Sequence, residues 1–179
     1  STMQEDRELK ILWIRVPWKI LREDESWIYQ AQRKSRDQEQ IVRNFVLRHP
    51  EILEHPQISK RLPRQKLELL GVELGLVHEN ESVKAEHPDA LFRNGGTYYV
   101  VEVKSEVKSE PDLKIRAAKH FEALKHTLET ASKPFDNIIP VVVTGDALIE
   151  CIRSHYYNSF RVPIGLSEKI EYHHPCLRK

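Results

Sequence analysis

Apolar positions recur along this chain with two periods, and the changes between them mark out its elements. Residues 36 to 48 carry Ile41, Val42, Phe45, Val46 and Leu47 at helical spacing, which predicts an amphipathic helix. Ser35 stands at its start with Gln38 three residues on, a capping-box pattern. A second short helical piece holds Ile52 and Leu53. Upstream, residues 8 to 18 form an Ile- and Val-containing apolar run that reads as an N-terminal strand, which Pro17 ends or confines to an edge. From Lys66 to Val77 the pattern is mixed. Gly71 and Gly75 weigh against a helix there and favour a strand or bent strand, followed by a polar loop at His78 to Ser82.

Period two takes over next. Asp89 to Phe92 and Tyr98 to Val103 read as strands joined by Asn94-Gly95-Gly96. With Gly95 and Gly96 as the loop, Asn94 pairs with Thr97 and Asp89 stands opposite Glu102. With Asn94-Gly95 as the loop, the register slides by two and Asp89 lies diagonally from Glu102, still on its face. Only an odd-length loop breaks this. Ala90, Phe92, Val101 and Val103 then share a core-facing side, while Asp89, Glu102 and Lys104 share the other.

Beyond Lys104, Ser109 is the expected N-cap of a helix, with Pro111 in its first turn and Asp112 three residues on. Its apolar stripe is Leu113, Ala117, Phe121, Leu124 and Leu128. Ile138 to Val143 is a short apolar strand, and Pro140 favours an edge position or one unpaired end. Parallel pairing of this strand with the one ending at Lys104 implies a right-handed crossover. Asp146 to Tyr157 reads as a last amphipathic helix, and from Asn158 onward no element is specified. The expected organisation is an N-terminal segment (1–35) packing on a core (36–157), then a C-terminal tail (158–179).

Composition narrows the class. At 179 residues the chain suits one domain with a sizeable core. No apolar run approaches the ~20 residues of a membrane span, and no secretory leader is recognisable. Ser1-Thr2 reads as a remnant ahead of a natural start at Met3. Cys151 and Cys176 suggest no disulfide framework, as expected in a reducing cytosol. A net charge of +1 does not announce nucleic-acid binding, but basic residues cluster at 33–36, 60–66 and 114–125.

The chemistry concentrates on the hairpin. Two facing carboxylates repel unless a counter-charge joins them. A divalent cation resolves the conflict, and hard oxygen donors favour Mg²⁺ or Mn²⁺. Lys104 is then placed to orient a water or to offset charge on a phosphate. The bland alternative is a surface hairpin with a solvated salt bridge. His87, two residues before Asp89, is a candidate for a metal or phosphate contact, or simply a polar strand residue. The His173-His174-Pro175-Cys176 run matches no zinc-ligand spacing.

Pro88-Asp89, a short hairpin and Glu102-Val103-Lys104 after an apolar strand together resemble the PD-(D/E)XK nuclease superfamily. Tyr99 to Glu106, followed by Pro111-Asp112-Leu113-Lys114 and an Ala-containing helix, is similar to the nuclease domain of type III restriction enzymes. Asp37 to Phe45 and His49 to Leu53 resemble mismatch-specific and restriction nucleases of this superfamily. The likeness spans residues 36 to 145. It implies an α/β, restriction-endonuclease-like core: a mixed central sheet with a β-hairpin active site flanked by helices. The implied activity is Mg²⁺- or Mn²⁺-dependent endonucleolytic hydrolysis of phosphodiester bonds, DNA first. Asp89, Glu102 and Lys104 would be catalytic, with metal held by Asp89, Glu102, the Val103 carbonyl and a helix carboxylate. Glu39 is favoured for that last role over Glu51 and Glu54. Lys114, Lys119 and Arg64 are candidate nucleic-acid contacts. A homodimer or a subunit of a larger nucleic-acid-processing complex is implied, away from membranes, in the cytoplasm or on the nucleoid. A non-cleaving nucleic-acid-binding module and an RNA endonuclease stay open as alternatives.

Overall fold

The computed structural model describes residues 9–24, 35–54, 60, 62, 66–76, 86–106, 109–147, 157–161 and 169–173. In chain order they form β1 (Leu12–Arg15), α1 (Trp18–Asp24), α2 (Ser35–Arg48), a 3₁₀ turn (Pro50–Leu53), β2 (Glu68–Val72), β3 (Ala90–Asn94), β4 (Thr97–Glu106), α3 (Glu110–Thr130), β5 (Asn137–Ala147), β6 (Tyr157–Arg161) and β7 (Lys169–His173). The seven strands make one mixed sheet in the order β2-β3-β4-β5-β1-β7-β6. The protein is thus of mixed α/β class.

The hairpin obeys the two-glycine register. Asn94 pairs with Thr97 and Ala90 with Val101, so the pairing runs straight back to the Asp89–Glu102 level. Gly95 alone of the two loop residues has a positive φ, 59°, the pattern of a type II′ turn that follows the strand twist. The Gly96 carbonyl accepts hydrogen bonds from the Asp136 and Asn137 amides (2.8 and 3.3 Å), which anchors the turn to the start of β5.

The period-two alternation sends alternate side chains into two cores. On one face Ala90, Phe92, Tyr99, Val101 and Val103 pack with Ile41, Val42, Phe45 and Val46 of α2. On the other, Leu91, Tyr98 and Val100 meet Ala123, Leu124 and Leu128 of α3, and Trp13 and Val142 meet Leu113 and Ala117. The face carrying Glu102 is therefore roofed by α3 rather than open along its length. Within the α3 stripe His120, 3 % exposed, is buried along with Leu113, Ala117, Leu124 and Leu128, while Phe121 is only partly buried.

Ser109 caps α3 as its sequence predicts, its Oγ accepting from the Asp112 amide at 3.3 Å. Replacing Ser109 by Ala is expected to cost about 1 kcal/mol, read as a lower urea midpoint at an unchanged m-value. The Ser35 and Gln38 side chains lie outside the described residues, and Ser35 itself is already within α2.

Several expectations are corrected. β1 ends before Pro17 but is interior, paired with both β5 and β7. β5 is interior too, between β4 and β1. Pro140 is accommodated because β1 begins pairing only at Val141, leaving that end of β5 unpaired on one side. No helix begins at Asp146, which continues β5, and Tyr157 opens β6; residues 148–156 between them lie outside the described residues. The unspecified stretch after 157 supplies β6 and β7, which extend the sheet beyond β1. β2 is a bent edge strand with a register shift between Leu69 and Gly71, but Leu69, Leu70, Val72 and Leu74 are exposed. No described helix is long and apolar enough to cross a membrane.

Candidate active site

Asp89 sits where β3 and β4 part. Backbone pairing between them ends at Ala90 and Val101, whereas β4 runs on beside β5 as far as Glu106. The Val103 amide therefore has no β3 carbonyl to meet. The Asp89 carboxylate takes that place, its Oδ2 accepting from Val103 N–H at 2.8 Å. A side chain thus completes the ladder, and its second oxygen is left for other partners.

Glu102 stands beside it, 7 % exposed. Burial pushes its carboxyl up to about 9, helped by a hydrogen bond with Asp89 and by the Asp89 charge, against the opposing charges of Arg116 and Lys104. Burial thus favours the protonated form of Glu102 beside Asp89. Its Oε2 is buried and has no hydrogen-bond partner among the described residues.

Side chains from both helical layers close on this pair. From α3, Arg116 Nε lies 3.6 Å and His120 Nε2 3.9 Å from Glu102 Oε2. His120 also stands 3.6 Å from Glu86 Oε1. Burial lowers its basicity, opposed by Glu86, so the imidazole is held toward its neutral form. From α2, Arg43 Nη1 lies 4.0 Å from Asp89 Oδ1 and 2.8 Å from Glu73 Oε1. Glu73 is fixed in turn by its amide, which donates to the Asp89 carbonyl at 3.2 Å, and has φ 53° in the left-handed region. Lys104, on the same face of β4 as Glu102, has its Nζ 3.3 Å from Glu39 Oε1.

The hairpin thus unites Asp89, Glu102, Val103 and Lys104, and Glu39 reaches the group through Lys104. Glu51 and Glu54 do not join it. Glu51 lies 3.7 Å from His49. Glu54 accepts from Asn94 Nδ2 at 3.1 Å, at the turn end of β3, and burial raises its carboxyl; it is half-buried rather than solvated. His87 is exposed. Lys114 is paired with Glu110 at 3.1 Å, Lys119 is exposed, and Arg64 lies outside the described residues. Arg43, Glu86, Arg116 and His120 were not foreseen. His120 had a readable signal, since it falls on the apolar stripe of α3 between Ala117 and Leu124.

Among the described residues no three His, Cys, Asp or Glu side chains form a ready metal cluster. The carboxyl pair nonetheless suits a hard cation: two carboxyl groups stand side by side, burial disfavours the ionised form of Glu102 in the absence of a counter-charge, and its Oε2 is buried without a hydrogen-bond partner among the described residues. No known protein family, curated protein or solved structure matches the chain.

Proposed function

We propose that the protein is a metal-dependent endonuclease of the PD-(D/E)XK type on a restriction-endonuclease-like core, with DNA as its first substrate. The observation that carries the reading is the Asp89–Glu102 pair, with Glu102 buried and Lys104 beside it, built where two strands diverge. A surface hairpin with a solvated salt bridge would have its carboxylates in water. Here one is almost fully buried and pushed toward its protonated form, an arrangement that costs stability and is characteristic of sites that bind or react.

Asp89, Glu102 and the Val103 carbonyl would hold the cation, whose charge would favour the ionised form of Glu102. When bound, it supplies charge to polarise the scissile phosphate and to acidify an attacking water. Lys104, positioned by Glu39, offers N–H donors where negative charge builds on the phosphate oxygens. Asp89 is itself positioned by the Val103 amide, so the donor oxygens are set by backbone register rather than by a loop. On the α3 side the buried His120 imidazole, held toward its neutral form, covers the pair, and the half-exposed Arg116 guanidinium stands beside it.

The test is incubation with supercoiled plasmid, single-stranded DNA and RNA, each with Mg²⁺, with Mn²⁺ and with EDTA. The expected result is nicking and linearisation of DNA in either metal and none in EDTA. Cleavage of RNA alone would move the substrate. Salt-sensitive binding without scission in any arm would replace the nuclease reading with a binding module.

A further inference from the structure

We infer that Arg116 is a phosphate-holding residue, gripping a nucleic-acid backbone phosphate beside the Asp89–Glu102 pair. The inference rests on the nucleic-acid reading of the site and adds a substrate contact on α3.

Two arginines flank the carboxyl pair from opposite layers of the fold, and they differ in how far they are committed. Arg43 on α2 is 20 % exposed and hydrogen-bonds Glu73 at 2.8 Å. It belongs to the framework that holds Asp89. Arg116 on α3 is 55 % exposed, and its Nε stands 3.6 Å from Glu102 Oε2, longer than a hydrogen bond. It is attracted to the site without being consumed by it. A guanidinium offers five donors in a planar fork that matches phosphate oxygens. The exposed fork of Arg116 therefore lies at the mouth of the site, its charge aimed at the carboxyl pair. The positive charge is available to an incoming anion.

The lysines of the same helix are placed differently. Lys114 is tied to Glu110, and no described contact joins Lys119 to the carboxyl pair. Arg116 is thus the α3 cation that shares the site with Glu102, and a phosphate held by it would lie against the carboxyls that act on it. At the far end of the hairpin, Arg93 is paired with Glu68 at 2.7 Å. It carries the same charge away from the site.

The test compares wild type, Arg116→Ala, Arg116→Lys and Arg93→Ala by fluorescence anisotropy on labelled duplex DNA, single-stranded DNA and RNA. Ca²⁺ replaces the cleavage-supporting metal, salt is titrated, and plasmid cleavage in Mg²⁺ is run in parallel. Arg116→Ala should bind roughly tenfold more weakly and lower the salt slope by about one. Arg116→Lys should restore the slope but only part of the affinity, because an ammonium lacks the fork. Arg93→Ala should leave both unchanged. Circular dichroism and melting should be wild-type for Arg116→Ala, given its exposure. Wild-type affinity and slope in Arg116→Ala, in a preparation whose wild type cuts, would overturn this inference and leave the nuclease reading standing. Equal losses in Arg93→Ala would also overturn it, by making the effect one of net charge. A wild type that neither binds nor cuts any of the three probes would sink the nuclease reading itself.

Discussion

Replacing Asp89 by Asn is expected to cut strand cleavage by on the order of a thousandfold or more, the scale of losing a metal donor or a fixed stabilising charge. The fold should survive. Asn keeps an acceptor for the Val103 amide that Asp89 now satisfies, so the ladder end stays closed. Asp89→Ala is a poorer test, because it strands that N–H and adds about 1–3 kcal/mol of destabilisation. Lys104→Ala should abolish cleavage just as fully at almost no cost in stability. Its partner is Glu39, and the two side chains are 34 % and 38 % exposed. An exposed pair of this kind contributes about 0–1 kcal/mol. Initial rates of plasmid nicking, set beside urea melts of the same preparations, separate the two quantities. Full activity in either variant at equal purity would remove the site from the reaction.

The second large effect has the opposite sign on stability. Glu102→Gln should make the protein more stable at pH 8 while destroying cleavage. Burial, with Asp89 beside it, pushes the Glu102 carboxyl up to about 9 when folded, against an ordinary value of 4.5. Between those limits the folded chain keeps a proton that the unfolded chain has released, so stability falls as pH rises through the window. Glutamine is neutral throughout and preserves the shape. The gain at pH 8 should be on the order of a few kcal/mol, since each tenfold change in proton affinity corresponds to about 1.4 kcal/mol. For a chain of this size that is several degrees in melting temperature, at about 2–4 °C per kcal/mol. The pH dependence between 5 and 9 should flatten in the variant. Added Mg²⁺ should raise the melting temperature of wild type and not of the variant. A variant that melts lower across this range, with the pH slope intact, would mean that Glu102 is ionised in the folded chain.

The hairpin was legible because three signals agreed: a glycine turn, period-two alternation, and carboxylates on the side opposite the apolar residues. Its register could slip only by two without exposing Phe92 and Val101, which are 1 % and 0 % exposed. The α2 and α3 stripes were equally readable, since helical periodicity survives without knowledge of the partner. The residues that close the site were harder to read. Arg43, Glu86 and Arg116 come from different elements, and only the tertiary arrangement brings them to one point. β6, with the sequence Tyr-Asn-Ser-Phe-Arg, has no apolar alternation to announce it. It is held in the sheet by pairing with β7, whose Ile170 is fully buried. Of the two arrangements Pro140 allowed, the unpaired end is the one found: proline restricts a strand only where a neighbour needs its N–H, and β1 stops one residue short.

The position of β1 also bears on how the chain folds. The α2 to β5 region, with the hairpin and α3, pairs largely with nearby sequence and can form early. β1 precedes all of it, yet pairs with β5 and with β7, whose residues 169–173 follow far behind in sequence. The first strand can dock against β5, but its other edge, Trp13 to Arg15, stays unpaired until residue 173 has been synthesised and has docked. Folding should show a slow final phase when β7 closes over β1, and a nascent chain halted before residue 169 should carry the carboxyl pair within an unfinished, aggregation-prone sheet.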